Sequence, residues 1–96
     1  MDYLNNVPLE ALTLYRIALH HSNKGDHKSA IKYLSNALLL APTFYTALCE
    51  MGLCFEKLGM YPEALSKYDK VLQINQSHKE AEMNRNRVLE KIKLTK

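Results

Sequence analysis

The sequence predicts an all-α protein of stacked helical hairpins, and three observations predict it. The first is a repeat of period 34: residues 11–44 superimpose on residues 45–78 with five identities, Leu14 on Leu48, Leu19 on Leu53, Gly25 on Gly59, Ala30 on Ala64 and Leu38 on Leu72. Matched small or apolar pairs lie between them, Ile17 with Met51, Ala18 with Gly52, Leu34 with Tyr68 and Ala37 with Val71. The second is spacing, because apolar residues at i, i+3, i+4 and i+7 line one face of a helix. The third is that a single Gly divides each copy into two such segments. A fixed period in this range marks stacked supersecondary units, none of which buries its apolar face alone.

Taken in order, Asn6 and Pro8 form a start signal, since Asn caps exposed amides and Pro tolerates the first helical turn. The first helix is expected to reach about Asn23 with Leu14, Ile17, Ala18 and His21 inward. Gly25 ends it, because a tight helix-to-helix turn favours positive φ, and Asp26 is placed to cap the second helix. That helix turns Ala30, Leu34, Ala37 and Leu38 inward and stops before Pro42. Ala30 and Ala37 are small so that the paired helices approach closely.

The third helix, from about Thr43, repeats the stripe as Leu48, Met51, Gly52 and Phe55. Gly52 gives up about 1 kcal/mol of helix propensity against Ala, which predicts compensating close packing. Gly59 turns the chain, Pro62 sits in the first turn of the fourth helix, and Ala64, Leu65, Tyr68, Val71 and Leu72 face in. A fifth helix, from about Ser77 to Leu94, departs from the pattern: Glu82, Arg85 and Asn86 stand where a third copy would place its inward stripe. Ala81, Val88 and Ile92 remain to cover the fourth helix. The substitution reads as termination, because a terminal unit needs a polar outer face. At the other end Thr13 and His20 stand where the second copy has Ala47 and Cys54, so the array is expected to begin and end within the chain.

Ninety-six residues make one domain near the lower edge of what buries a useful core. Its expected parts are a lead-in (1–10), two repeats (11–44 and 45–78) and a closing helix (79–96). The net charge of +3 is local: residues 1–78 hold seven acidic and seven basic side chains, residues 79–96 three and six. No apolar run approaches the roughly 18 residues of a membrane span, and the N-terminus lacks the features of a signal peptide, so a cytoplasmic location is expected. Cys49 and Cys54 are five apart, about 140° around a helix, so they point apart as free thiols, which fit a reducing compartment.

No constellation for chemistry emerges. His20 and His21 are adjacent, about 100° apart on a helix, and cannot share a metal as an i, i+4 pair does. The glycines at 25, 52 and 59 are isolated, so no phosphate-binding loop exists. No catalytic residue, cofactor or metal is therefore expected. A rival thiol enzyme requires Cys49 or Cys54 to meet a His base in space. The basic fifth helix pairs Glu82 with Arg85 and Glu90 with Lys93 at i, i+3, with Lys91 nearby, so nucleic acid is not an expected partner.

The residues also resemble the tetratricopeptide repeat (TPR) family. Counting Ala11 as the first position, Leu14, Ile17, Ala18, Ala30, Leu34, Ala37 and Pro42 match the family's fourth, seventh, eighth, twentieth, twenty-fourth, twenty-seventh and thirty-second positions. The second copy supplies Leu48, Met51, Gly52, Phe55, Ala64, Tyr68 and Val71, with Phe55 at the aromatic eleventh. Departures are the missing Trp at the fourth position, His21 at the eleventh and Gln76 in place of Pro. The resemblance implies antiparallel helix-turn-helix units in a short right-handed superhelix of five helices. It also implies a non-catalytic module that binds a peptide or helix of a partner protein in a concave groove.

By family position that groove is lined by Leu12, Tyr15, Leu19, Ser22 and Asn23, then Thr46, Cys49, Leu53, Glu56 and Lys57, with Met83, Asn84 and Arg87 added by the fifth helix. Chaperone-binding members of the family clamp a terminal carboxylate with Lys and Asn. Here Tyr15, Leu19 and Glu50, followed by Glu80 and Asn84, occupy those positions, so the clamp is absent and Glu50 repels a carboxylate. The rival among binding functions is self-association, a homodimer covering Leu12, Tyr33 and Leu39.

Overall fold

Five helices form in the described residues, 7–94, of the structure, a computed structural model: α1 (Leu9–Asn23), α2 (His27–Leu40), α3 (Tyr45–Lys57), α4 (Tyr61–Ile74) and α5 (Lys79–Leu94). Pro8 precedes the first helical turn as the N-cap, its carbonyl accepting from the Leu12 amide at 3.1 Å. Asn6 lies outside the described residues. Both hairpin turns are the same object. Gly25 at φ 84° and Gly59 at φ 77° hold the left-handed conformation that L side chains resist. The next amide closes each turn, Asp26 N–H onto the His21 carbonyl and Met60 N–H onto that of Phe55, both at 2.9 Å.

Each helix packs on its neighbours in sequence, α1 on α2, α2 on α3, α3 on α4 and α4 on α5. The first core joins Ala11, Ala18, Ala30, Leu34, Ala37, Phe44 and Met51, and the small residues let the helices close on one another. A second cluster holds Leu48, Cys49, Val71 and Ala81, and a third Ala64, Tyr68 and Val88. Ala81 and Val88 thus seal α4 as expected, with Ile92 packed beside them.

The expected packing partner of Gly52 is Tyr68. A Cβ on Gly52 would lie 2.7 Å from the Tyr68 Cζ, so the glycine is the space that the fully buried ring fills. Ile17 differs from expectation: it is 36% exposed where its counterpart Met51 is 5% exposed, because α3 has a hairpin on its far side and α1 has no such neighbour among the described residues. Leu12 and Tyr33 are also not free apolar surface. Leu12 packs on the first core, and Tyr33 stacks on His21 at 5.3 Å between ring centroids. Leu39 alone of the three is open to solvent, at 80%.

Candidate functional site

α1 and α5 both meet α3, Ser22 of α1 at Glu50 and Arg87 and Lys91 of α5 at Glu56. On α1, Tyr15, Leu19 and Ser22, expected in the groove, are half-buried and Asn23 is exposed at the helix end. Tyr15 is steadied by Phe44, 5.1 Å away between ring centroids. On α3, Thr46 and Leu53 are half-buried and Lys57 is exposed. Met83 on α5 is 67% exposed. These residues combine partial exposure with fixed helical backbone, which suits a preformed docking surface.

Three residues expected at this surface lie beneath it. Cys49 is buried against Leu48, Val71 and Ala81, because the fifth position of α3 is reached by α5 as well as α4. Asn84 is buried on the side of α5 that packs inward, beside Ala81 and Val88 in the sequence of buried positions. Glu56, expected on the rim, has a side chain only 5% exposed because cations of α5 fold over it. Arg87 reaches its carboxylate with Nε at 2.8 Å and Nη2 at 2.9 Å, Lys91 Nζ at 2.7 Å, and the Tyr68 hydroxyl donates at 3.2 Å. The Arg87 hydrogen bonds, then those from Lys91, hold this carboxyl down to about 2 against the opposing effect of burial. Arg87, expected to reach a partner, is therefore engaged within the chain. A Glu one repeat before two basic residues is the sequence signal for this link, since the counterpart of Glu56 in the first repeat is the uncharged Ser22.

The cations of α5 other than Lys79 are also paired, only in part as expected. Arg85 bonds Asp69 of α4 instead of Glu82, Lys91 bonds Glu56, and Lys93 keeps the expected i, i+3 contact with Glu90 at 3.7 Å. Inter-helix partners win here because α4 and α3 present carboxylates at fixed positions.

Two other carboxylates border the groove. Glu50 of α3 accepts from Ser22 Oγ at 3.4 Å, and burial raises its carboxyl, with the charge of Glu80 adding to the rise. The Cys49 thiol is pushed up to about 12, by burial first and then by Glu80 and Glu50, and burial also raises Cys54. Neither thiol is an activated nucleophile at neutral pH. Cys49, His78 and Glu80 bring potential ligand atoms within 4.8 Å of one another, a proximity the sequence did not suggest. His78 uses its Nδ1 lone pair to accept from the Ala81 amide at 3.2 Å, so the imidazole serves as the side-chain cap of α5.

Hairpins stacked in register with one open apolar side define a helical-repeat protein of the docking class. Tetratricopeptide repeat models match residues 11–44 and residues 45–78, and the chain belongs to that family. Among solved structures it is similar to the first TPR of Spaghetti (RPAP3) bound to the HSP90 peptide SRMEEVD, with a TM-score of 0.80 at 18% sequence identity. The likeness covers 83% of this chain and 64% of that one, so the chain spans less than two thirds of the neighbour's length. At that identity the likeness speaks for the fold.

Proposed function

We propose that the concave side formed by α1, α3 and α5 binds a peptide segment of a partner protein, without catalysis. The observation that carries this reading is the band of Tyr15, Leu19, Leu53 and Met83, apolar residues left partly or largely exposed on α1, α3 and α5. Apolar anchors give affinity, and polar neighbours such as Thr46 and Asn23 set register. The peptide held by the Spaghetti TPR supports the class of ligand. Two buried free thiols and the lack, among the described residues, of a helix long and apolar enough to cross a membrane support a reading as a cytoplasmic adaptor. Residues 79–94 then act as the helix that closes the two repeats.

Leu53→Arg tests the groove. Peptides selected from a displayed library on the wild-type chain are expected to lose about tenfold or more in affinity, with helical circular dichroism and sedimentation unchanged. Equal binding to Leu53→Arg overturns the proposal. A second reading, self-association, is favoured by Leu39, 80% exposed on the side away from the groove. It predicts a dimer by light scattering at micromolar concentration that Leu39→Glu dissociates, and a folded monomer removes it.

A further inference from the structure

Resting on the groove reading, we propose that the partner segment is cationic: apolar residues alternating with Lys or Arg, the positive charge settling by Glu50 and Glu80. Two basic residues that an acidic peptide would seek are already occupied, while Lys57 stays exposed at the far end of α3. Arg87 and Lys91 close on Glu56 at 2.7–2.9 Å, a carboxylate carried within the chain at the place where a ligand carboxylate would have to compete. Six residues back along α3, about 9 Å at the helical rise, the balance reverses. Glu50 and Glu80 act on each other as like charges, and neither forms an ion pair among the described residues. Glu50 has only the 3.4 Å bond from Ser22, and His27, whose charge reaches it, makes no ion-pair contact. Glu50 is half-buried and Glu80 exposed, and like charges without an ion-pair partner repel, so a bound ammonium or guanidinium relieves that repulsion while an incoming carboxylate adds to it. Cys49 registers the same field, its thiol discouraged from ionising by burial first and then by both carboxylates. The chain as a whole carries +3, so its long-range field favours acidic ligands, and a preference for cationic ones is a local property of the groove.

Three labelled peptides of equal length, acetylated and amidated, separate the cases by fluorescence polarisation: alternating Leu-Lys, Leu-Glu and Leu-Gln. The Leu-Lys peptide is expected to bind at least about tenfold tighter than Leu-Glu, to weaken with added salt, and to fall to the Leu-Gln level on the Glu50→Gln, Glu80→Gln double variant. Circular dichroism of that variant checks its fold. Preference for Leu-Glu, or Leu-Lys binding that the double variant leaves intact, overturns the cationic assignment. Equal binding of all three, abolished by Leu53→Arg, overturns the assignment and leaves the groove reading standing. Binding of none overturns both.

Discussion

The two repeats follow one pattern of residues, yet α3 buries Ala47, Leu48, Cys49, Met51, Gly52, Cys54 and Glu56 while α1 buries only Ala11 and Ala18. Equivalent letters therefore do unequal work. Leu48 is 2% exposed, whereas Leu14, its counterpart, is half-buried. The difference is place in the stack: α3 packs on α2, α4 and α5, whereas α1 packs on α2 and meets α3 through Ser22. In an array where each unit contacts only its neighbours, interface terms decide how much a given residue contributes.

The largest expected effect breaks this comparison directly. Leu48→Ala is expected to destabilise the fold by about 3–4 kcal/mol, and Leu14→Ala by about half that, since the removed atoms of Leu14 are already partly hydrated. Denaturant unfolding of the two variants measures the gap. Equal losses would show that the repeats contribute alike and that place in the stack does not matter.

The second effect concerns position twelve, Ser22 in one repeat and Glu56 in the other. A carboxyl held at about 2 in the folded chain, below its ordinary value, contributes stability above the ordinary carboxylate range and loses it as pH falls through 4 toward 2. Arg87 and Lys91 are each 42% exposed, so screening reduces the contribution to the order of 2 kcal/mol. Glu56→Gln should remove that amount at pH 7 and flatten the loss between pH 5 and about 2, read from urea midpoints across the range. Ser22→Ala should leave the acid limb as it is.

The third effect sits where the repeats exchange volume across a helix pair. Repeat one places Ala18 and Leu34 in its core, both fully buried, and repeat two places Gly52 and Tyr68 at the same positions. Gly52→Ala improves helix propensity by about 1 kcal/mol, but its Cβ meets the buried Tyr68 ring, and a net loss of about 1–2 kcal/mol is expected. Adding Tyr68→Leu re-creates the repeat-one pair and should recover part of the loss, giving a coupling readable in a double-mutant cycle. Additive losses would break the idea of exchanged volume.

How much of this was legible depended on whether a feature is local. Both Gly turns, the Asp26 cap and the inward faces of α2 and α4 are set by residues within five of one another, and the structure places them as the sequence implies. Ile17, Cys49 and Glu56 were misplaced because their burial is decided by helices one repeat away. The groove was readable as a row of family positions. Its charge was not, since Arg87 is a free cation in the sequence and an internal partner of Glu56 only once α5 lies across α3.

The smallest expected effect sharpens the comparison at the start of the second helices. Asp26 caps α2, its Oδ1 accepting from the Ser29 amide at 3.2 Å with the backbone at φ −90°, ψ 75°. Met60, the equivalent residue before α4, holds nearly the same conformation at φ −92°, ψ 71° but makes no side-chain cap, and 40% of it is exposed. An Asp there meets an amide, that of Glu63, at the same spacing, with a carboxylate three residues on to complete a capping box. Met60→Asp is therefore expected to stabilise by about 0.5–1 kcal/mol, raising Tm, while Asp26→Ala lowers it. Because the two backbones already coincide, failure of Met60→Asp would mean that the apolar contacts Met60 retains outweigh a satisfied amide.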